Sequence, residues 1–303
     1  MNQPWEPEIT VQIGQAARMI TAQFPQLQPV HITNFGEGFD NSVFLVNNQY
    51  VFRFPRKEMA VSLLAAECRI LPLLAPNLPI PIPHPHFLGR PEAGYPWPFA
   101  GYELLPGKTP FRLTEEQRIM SAKPFALFLK KLHDFPKGKA EQLQIPYDQL
   151  DRMNLVKRKP MLETSIESAK RNGLLDSGTE EKLHDFLSTI HASFKDETRT
   201  LVHGDLHMKN FLVDDKGKIS AVIDWGDTHI GHPVIDLSIV YSFLPPAGRN
   251  EFFQWYGDVL PEWKIAARFK AIHSLIMLLS YANDQEDLKL VNECCASLRI
   301  ALN

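Results

Sequence analysis

The sequence predicts an α+β protein of two lobes: a small antiparallel sheet carrying one helix, then a larger, mainly helical lobe. Three observations predict it. Strand-like runs joined by short turns fill residues 31–54 and resume at 99–105; nine prolines crowd residues 72–98; and helical spacing dominates from about residue 115, broken by one β-rich island. At 303 residues the chain is long enough for two units of roughly 100–200 residues each.

Ile9, Ile13, Ala16, Ala17 and Ile20 recur at helical spacing and stop before Pro25, which predicts a short amphipathic helix. A strand at 31–35 leads into the turn Gly36-Glu37-Gly38. Runs at 42–46 and 49–54 are joined by Asn47-Asn48, a two-residue hairpin turn. Residues 59–74 read as a helix rich in Leu and Ala, broken near Pro72 and Pro76. In the proline stretch, Pro79-Ile80-Pro81-Ile82-Pro83 alternates prolines with apolar residues, which predicts an extended segment laid against the core. A strand at 99–105 closes at Pro106-Gly107. The N-terminal lobe is therefore expected to span 1–101 and the C-terminal lobe 102–303, with a hinge at about 101–107.

The C-terminal part predicts helices over about 115–134, 148–171, 178–195, 233–244, 248–259, 262–281 and 284–302. The β-rich island holds strands at 201–204, 211–213 and 218–223, with Asp215-Lys216-Gly217 turning between the last two.

Composition excludes several classes of function. Thirty-two basic against 35 acidic residues leave a net charge of −3, so no bulk positive field draws the chain to nucleic acid. No stretch approaches the roughly 18 consecutive apolar residues of a membrane helix; 271–282 is interrupted by His273, Ser274 and Ser280 and predicts a buried helix. The first residues lack the charged segment and apolar core of a signal peptide, so a cytoplasmic location is expected. Three cysteines (Cys68, Cys294, Cys295) give neither a disulfide framework nor a metal-binding spacing.

The strongest chemical signal is His203-Gly204-Asp205-Leu206-His207-Met208-Lys209-Asn210, followed by Ile223-Asp224-Trp225-Gly226-Asp227. A β-hairpin between the two brings Asp205, Asn210 and Asp224 to one turn-rich mouth. One carboxylate there can accept a proton, while an amide oxygen and the second carboxylate offer hard ligands suited to Mg²⁺. That is the equipment of phosphoryl transfer. The spacing matches the kinase pattern H-x-D-x-x-x-x-N, with Asp-Trp-Gly in place of Asp-Phe-Gly.

These residues resemble the signature of the aminoglycoside and macrolide phosphotransferases, the antibiotic-kinase family that shares the protein-kinase-like two-lobe fold with the choline kinases. The resemblance implies that Asp205 is the base for an acceptor hydroxyl and that Asn210 and Asp224 hold Mg²⁺. It extends to Gly36-Glu37-Gly38-Phe39-Asp40-Asn41, where Gly36, Gly38 and Asn41 would let backbone N–H groups approach phosphate oxygens. Asn41 stands where protein kinases carry a third glycine. Arg53, inside an apolar strand, needs a partner; kinase-like folds have a phosphate-bridging Lys there, and Glu67 is the natural carboxylate, with Glu58 its rival. Residues 101–107 resemble the interlobe hinge, so Glu103 to Leu105 would meet the purine of ATP or GTP, the sequence deciding neither.

Asp236 opens a helix and, by the same resemblance, braces the catalytic turn. Asp227 is expected near the metal or that turn. Gly204 replaces the Arg of protein kinases, and the short span from Asp224 to His232 leaves no room for a long activation segment, so the resemblance implies a constitutively assembled small-molecule kinase, monomeric or a weak dimer. Its partners would be a nucleoside triphosphate and a small hydroxyl-bearing acceptor: an aminoglycoside or macrolide, with antibiotic resistance as the consequence, or a metabolic alcohol such as a choline- or homoserine-like compound. Seven acidic and six basic residues lie between 245 and 303, a balance that gives no support to a strongly anionic pocket for a polycation. A metal-dependent hydrolase built on His203, Asp205, His207, Asp224, Asp227, His229 and His232 is the rival class; it leaves Asn210, the glycine turn and Arg53 unused.

Overall fold

The computed structural model describes residues 7–37, 40–92, 94–190, 194 and 196–303; Gly38 of the glycine turn lies outside them. Strands β1 (Ile32–Glu37), β2 (Asn41–Val46), β3 (Tyr50–Pro55), β4 (Pro85–Gly89) and β5 (Phe99–Glu103) form one antiparallel sheet in the order β1-β2-β3-β5-β4. Asn47 and Asn48 both adopt positive φ, 54° and 52°, the paired left-handed geometry of a tight hairpin turn between β2 and β3. The proline segment yields a strand that periodicity did not reveal. Pro85 opens β4 on the sheet edge, where its missing N–H removes no ladder bond. The rest of the segment lies extended, and Val222 N–H donates to Pro81 O at 3.0 Å.

Alternation along β3 decides what each face of the sheet does. Phe52 and Phe54, fully buried, join Phe24, Phe87 and Phe99 under helix α1 (Ile13–Gln23). Arg53 lies between them in sequence and points to the opposite face. That face is covered by α2 (Glu58–Leu74), whose Leu64, Ile70, Leu71 and Leu74 belong to the same apolar core as the C-terminal helices. The helix runs through Pro72 to Leu74 rather than breaking there.

The helix expected over 115–134 is two, α3 (Glu115–Ile119) and α4 (Ala122–His133). Ser121 stands between them and its hydroxyl accepts Ile219 N–H at 3.0 Å, tying the break to the β-rich island. Next come α5 (Lys137–Gln142), which the sequence reading did not foresee, and α6 (Leu155–Arg171), which starts later than expected. The delay has a local cause: the Asp148 carboxylate accepts Leu150 N–H and Arg152 N–H, holding the chain in a turn until Asn154 caps the helix. After α7 (Ser177–Thr189), β6 (Thr200–Val202) pairs with β9 (His229–Gly231), and β7 (Phe211–Val213) with β8 (Ile219–Val222). Helices α8 (Val234–Phe243), α9 (Pro246–Tyr256), α10 (Pro261–Asp284) and α11 (Leu288–Leu302) complete the chain.

Among the described residues α10 is the one helix long and apolar enough to cross a membrane by length and composition. Here it is a core helix: Ala266, Phe269, Ile272, Ile276 and Leu279 are buried, and it packs on α8, α11 and α6.

Asn47 also binds the chain on both sides, its Oδ1 accepting His31 N–H and its Nδ2 donating to Leu27 O, each at 2.8 Å. Asn47→Ala removes both bonds and puts a residue without a polar side chain in the left-handed region, so the protein should lose about 2 kcal/mol of stability. A urea midpoint unchanged from the parent would contradict this.

Candidate active site

The two short two-stranded ladders put the catalytic-pattern residues at one mouth. His203 follows β6 and Asn210 precedes β7, so the turn between them spans two separate ladders. Asp236 at the start of α8 holds that turn from beneath. Its carboxylate, with no exposed surface, accepts His203 N–H at 2.8 Å and Gly204 N–H at 2.9 Å, and lies 3.2 Å from His133 Nε2. His133 Nδ1 in turn meets the Tyr256 hydroxyl at 2.8 Å. Burial opposes the Asp236 charge, yet the two histidines and the Gly204 N–H outweigh it and keep the carboxyl below its usual range.

Gly204 has a steric reason to be glycine. Its φ is +90°, and a Cβ would sit 2.2 Å from Asp227 O and 2.7 Å from His229 Nδ1. An Arg at this position is therefore excluded by the backbone, whatever its charge would do. The His203 ring donates through Nε2 to Ile223 O at 3.0 Å and packs edge-on to the fully buried Trp225, 4.9 Å between centroids. Trp225 is thus a core anchor under the second turn.

Asp205 projects from the first turn with its side chain 39% exposed, His207 Nε2 3.3 Å from its Oδ2. Asn210, buried, donates through Nδ2 to the Asp205 backbone oxygen at 2.8 Å and to Oδ2 at 3.2 Å. Its own carbonyl accepts Ile223 N–H at 2.9 Å, which sets Asp224 on the neighbouring turn. Asp224 has φ +62° and a half-exposed carboxylate. Burial alone would raise Asp205, but His207, Lys270 and His203 more than offset it and hold its carboxyl well below the usual range.

The N-terminal sheet closes the mouth from above. Arg53 forks onto Glu67 of α2, Nη1 lying 3.1 and 3.0 Å from the two carboxylate oxygens, while Nη2 donates to Asp224 Oδ1 at 2.7 Å. Glu67 is 1% exposed, so this ion pair is interior and the rival Glu58 has no part in it; Glu58 N–H instead donates to Glu8. Burial disfavours the guanidinium charge, but Glu67 and Asp224 outweigh that and strengthen it. Asp40 is largely buried, and burial first, with Asp227 and Asp224 adding to it, pushes its carboxyl up, against Lys57 and Arg53. Gly36 lies at a register shift in β1, and a Cβ there would meet no atom of the described residues within 4 Å. Asn41 is buried, its Oδ1 without a hydrogen-bond partner among the described residues. At the hinge, Leu104 N–H is taken by Gln49 O at 2.7 Å, whereas Leu105 N–H has no partner among the described residues and the Glu103 side chain is exposed.

A scan against family models matches residues 31–268, most of the chain, to the phosphotransferase enzyme family. The chain belongs to that family. The phosphotransferase also resembles solved structures in fold. The GDP complex of a wild-type aminoglycoside 2'-phosphotransferase-IIIa matches with TM-score 0.69 at 23% identity, over 96% of this chain and 99% of that one. A macrolide 2'-phosphotransferase type I matches with TM-score 0.58 at 18% identity, over 96% and 98%. A macrolide 2'-phosphotransferase from Brachybacterium faecium, without ligand, matches with TM-score 0.53 at 20% identity, over 89% and 91%.

The hydrolase residues of the phosphotransferase do not assemble a metal cage: among the described residues no three of His, Cys, Asp or Glu gather for one. His229 Nδ1 donates to Asp227 O, and His232 faces Asp196 at 3.4 Å. Sequence reasoning left three participants unnamed. Arg152 pairs with Asp148 at 2.7 Å and also with Asp227, which settles where Asp227 is held. Tyr102, buried behind Glu67, and Lys270 on α10 are the others. Lys270 left no signal of its own in the sequence, since Lys264 and Arg268 stand on the same helix.

Asp236→Asn keeps the shape of the brace but turns one acceptor arm into a donor facing an N–H. The variant should lose about 1–3 kcal/mol of stability and slow turnover, since the turn carrying Asp205 is no longer held from below. Equal urea midpoint and equal turnover would show that Asp236 does not brace the site.

Proposed function

We propose that this phosphotransferase moves the γ-phosphoryl group of ATP or GTP to a hydroxyl of a small acceptor. One observation carries the reading: Asn210 reaches both the backbone and the carboxylate of Asp205 while its carbonyl fixes the strand end leading into Asp224. A base and two oxygen ligands therefore share one mouth beneath Arg53. In this reading residues 1–101 hold the nucleotide and 102–303 carry catalysis, with the hinge at 101–107.

Asp205 orients the acceptor hydroxyl and takes its proton as the oxygen meets the γ-phosphorus. The half-exposed carboxylate, kept ionised by its cationic surroundings, suits that task. The donor set fits Mg²⁺: one amide oxygen and one carboxylate, too few to cage an ion alone, match a metal that takes its other ligands from phosphates and water. Mg²⁺ on Asn210 and Asp224 would neutralise charge on the phosphates. Arg53, pre-aligned by Glu67, points at the same place and is placed to hold phosphate oxygens. Gly36 is glycine although no atom of the described residues would crowd a Cβ there, which fits a backbone approached by phosphate. The unpartnered Leu105 N–H and the backbone at Glu103 offer the purine its edge.

Solved relatives bound to GDP with kanamycin, and to ATP with streptomycin, support a nucleotide donor and make aminoglycosides and macrolides the acceptors to test first. A metabolic alcohol is the second reading, and the Lys270 charge that acts on Asp205 favours it over a polycation.

Asp205→Ala should cut phosphoryl transfer about 100-fold or more while nucleotide still binds; turnover equal to the parent would remove Asp205 from the base role. The depressed carboxyl also fixes a pH dependence. Its charge persists as pH falls and is lost only below the ordinary Asp value, so kcat/KM should show no acid limb from Asp205 above about pH 4. An acid limb near pH 6.5 that survives His207→Gln would contradict this.

A further inference from the structure

Helices α7, α8, α10 and α11 leave between them a cavity of about 480 Å³, a volume within the range of small-ligand sites. Lys182 and Asp185 of α7 and Lys264 and Arg268 of α10 supply its charged lining, and Phe186 and Tyr241 supply rings. No residue of the catalytic turns lines it. Arg268 stands two residues before Lys270, so the two side chains leave α10 on different sides.

Two guanidiniums are fixed side by side at one end of this cavity. Arg268 Nε donates to Ala301 O at 2.6 Å and Arg249 Nη2 to Ile300 O, consecutive carbonyls in the last turn of α11; Arg249 Nε also donates to Leu244 O at 3.0 Å. Each lies over a ring, Arg268 5.0 Å from the centroid of Phe186 and Arg249 5.1 Å from that of Tyr241. These contacts set position but bring little countercharge, since a helix C-terminus carries only about half a negative unit. Burial weakens the Arg268 charge; burial and then Arg268 weaken that of Arg249; only Tyr241 acts the other way. Arg268 donates through Nε alone, so the four N–H of its two Nη groups have no acceptor among the described residues.

The rest of the lining does not cancel this charge. Lys182 Nζ donates to Asn303 Oδ1 at 3.0 Å, and Lys264 Nζ lies 4.8 Å over the Phe253 ring. Asp185 is the one acid among the lining residues, against three cations, and no ion pair joins it to any of them. Asp176 and Glu180, earlier on the same chain segment, are taken by Arg299 at 3.3 Å and by Lys170 at 2.8 Å. Half-buried guanidiniums without a carboxylate are costly. An anion entering the cavity would supply the missing partner through the open Arg268 fork.

We propose that this cavity is a second binding site, for a small organic anion: a carboxylate or phosphate group on an apolar body. The anionic group takes the Arg268 fork, with Lys182 and Lys264 adding attraction, and the body rests on Phe186, Tyr241 and the half-exposed Ile265. The site is independent of the phosphoryl-transfer reading. Because its lining comes from four helices, an occupant binds the folded chain alone and stabilises it. One of those helices is α8, whose first turn carries the Asp236 brace.

The test titrates the full chain by calorimetry, with and without ATP and Mg²⁺, against naphthalene probes of one size: 1-naphthoate, 1-naphthyl phosphate, the neutral 1-naphthalenemethanol and the cationic 1-naphthylmethylamine. The proposal expects at least one anionic probe to bind about tenfold or more tighter than the alcohol and the amine, with nucleotide present or absent. Preference for the carboxylate or for the phosphate identifies the anionic group. Lys182→Glu and Lys264→Glu, both at exposed positions, should each weaken that binding about fivefold or more, and Asp185→Asn should strengthen it. Arg268→Gln should abolish it; where that variant fails to fold, the lysines and Asp185 decide. The proposal is overturned if neither anion binds with a Kd below about 5 mM. It is overturned equally if the alcohol or the amine binds as tightly, if ATP and Mg²⁺ displace the anion, or if the charge reversals at Lys182 and Lys264 leave its affinity where it was.

Discussion

The Asp236 carboxylate has no exposed surface, and the mouth of the site is built upward from it. A buried carboxylate is costly unless its oxygens are filled. Here two backbone N–H groups and a histidine fill them, and those two N–H groups belong to the residues just before Asp205. The requirement that Asp236 be satisfied therefore becomes a requirement on where Asp205 stands. Gly204 follows from it: the backbone must pass so close to Asp227 O that no Cβ fits.

A second constraint couples the two parts of the chain. Phe52 and Phe54 bury themselves under α1, and the pleat then delivers Arg53 to the other face, above Asp224. Glu67 fixes the guanidinium from behind in a largely buried pair. Arg53 thus binds one carboxylate that shapes the fold and one that faces the mouth. The second contact is half-exposed, and under the proposed function it is the one that a phosphate would replace.

What was legible in the sequence followed from short-range chemistry. The hairpin at Asn47-Asn48 was readable because only a few residue types accept two consecutive left-handed conformations. The pattern from His203 to Asp227 was readable because the spacing that assembles the mouth is itself local. Strand β4 was hidden because prolines mask strand periodicity, and they are tolerated only because β4 ends up on an edge. The late start of α6 was hidden because Asp148 spends its carboxylate on the backbone of the following turn. Lys270 could not be assigned from sequence, since its meaning depends on α10 lying beside a turn more than sixty residues earlier. Gly38 falls outside the described residues, so the glycine turn is known here through Gly36, Asp40 and Asn41.

The central claim is that Asn210 and Asp224 serve the metal–nucleotide complex while Asp205 serves the acceptor. Calorimetric titration of ATP or GTP with and without Mg²⁺ divides these roles most directly. The account predicts that Mg²⁺ tightens nucleotide binding in the parent and in Asp205→Asn, and that the gain disappears in Asn210→Ala and in Asp224→Asn. A gain retained in both of those variants, or lost in Asp205→Asn alone, would contradict it.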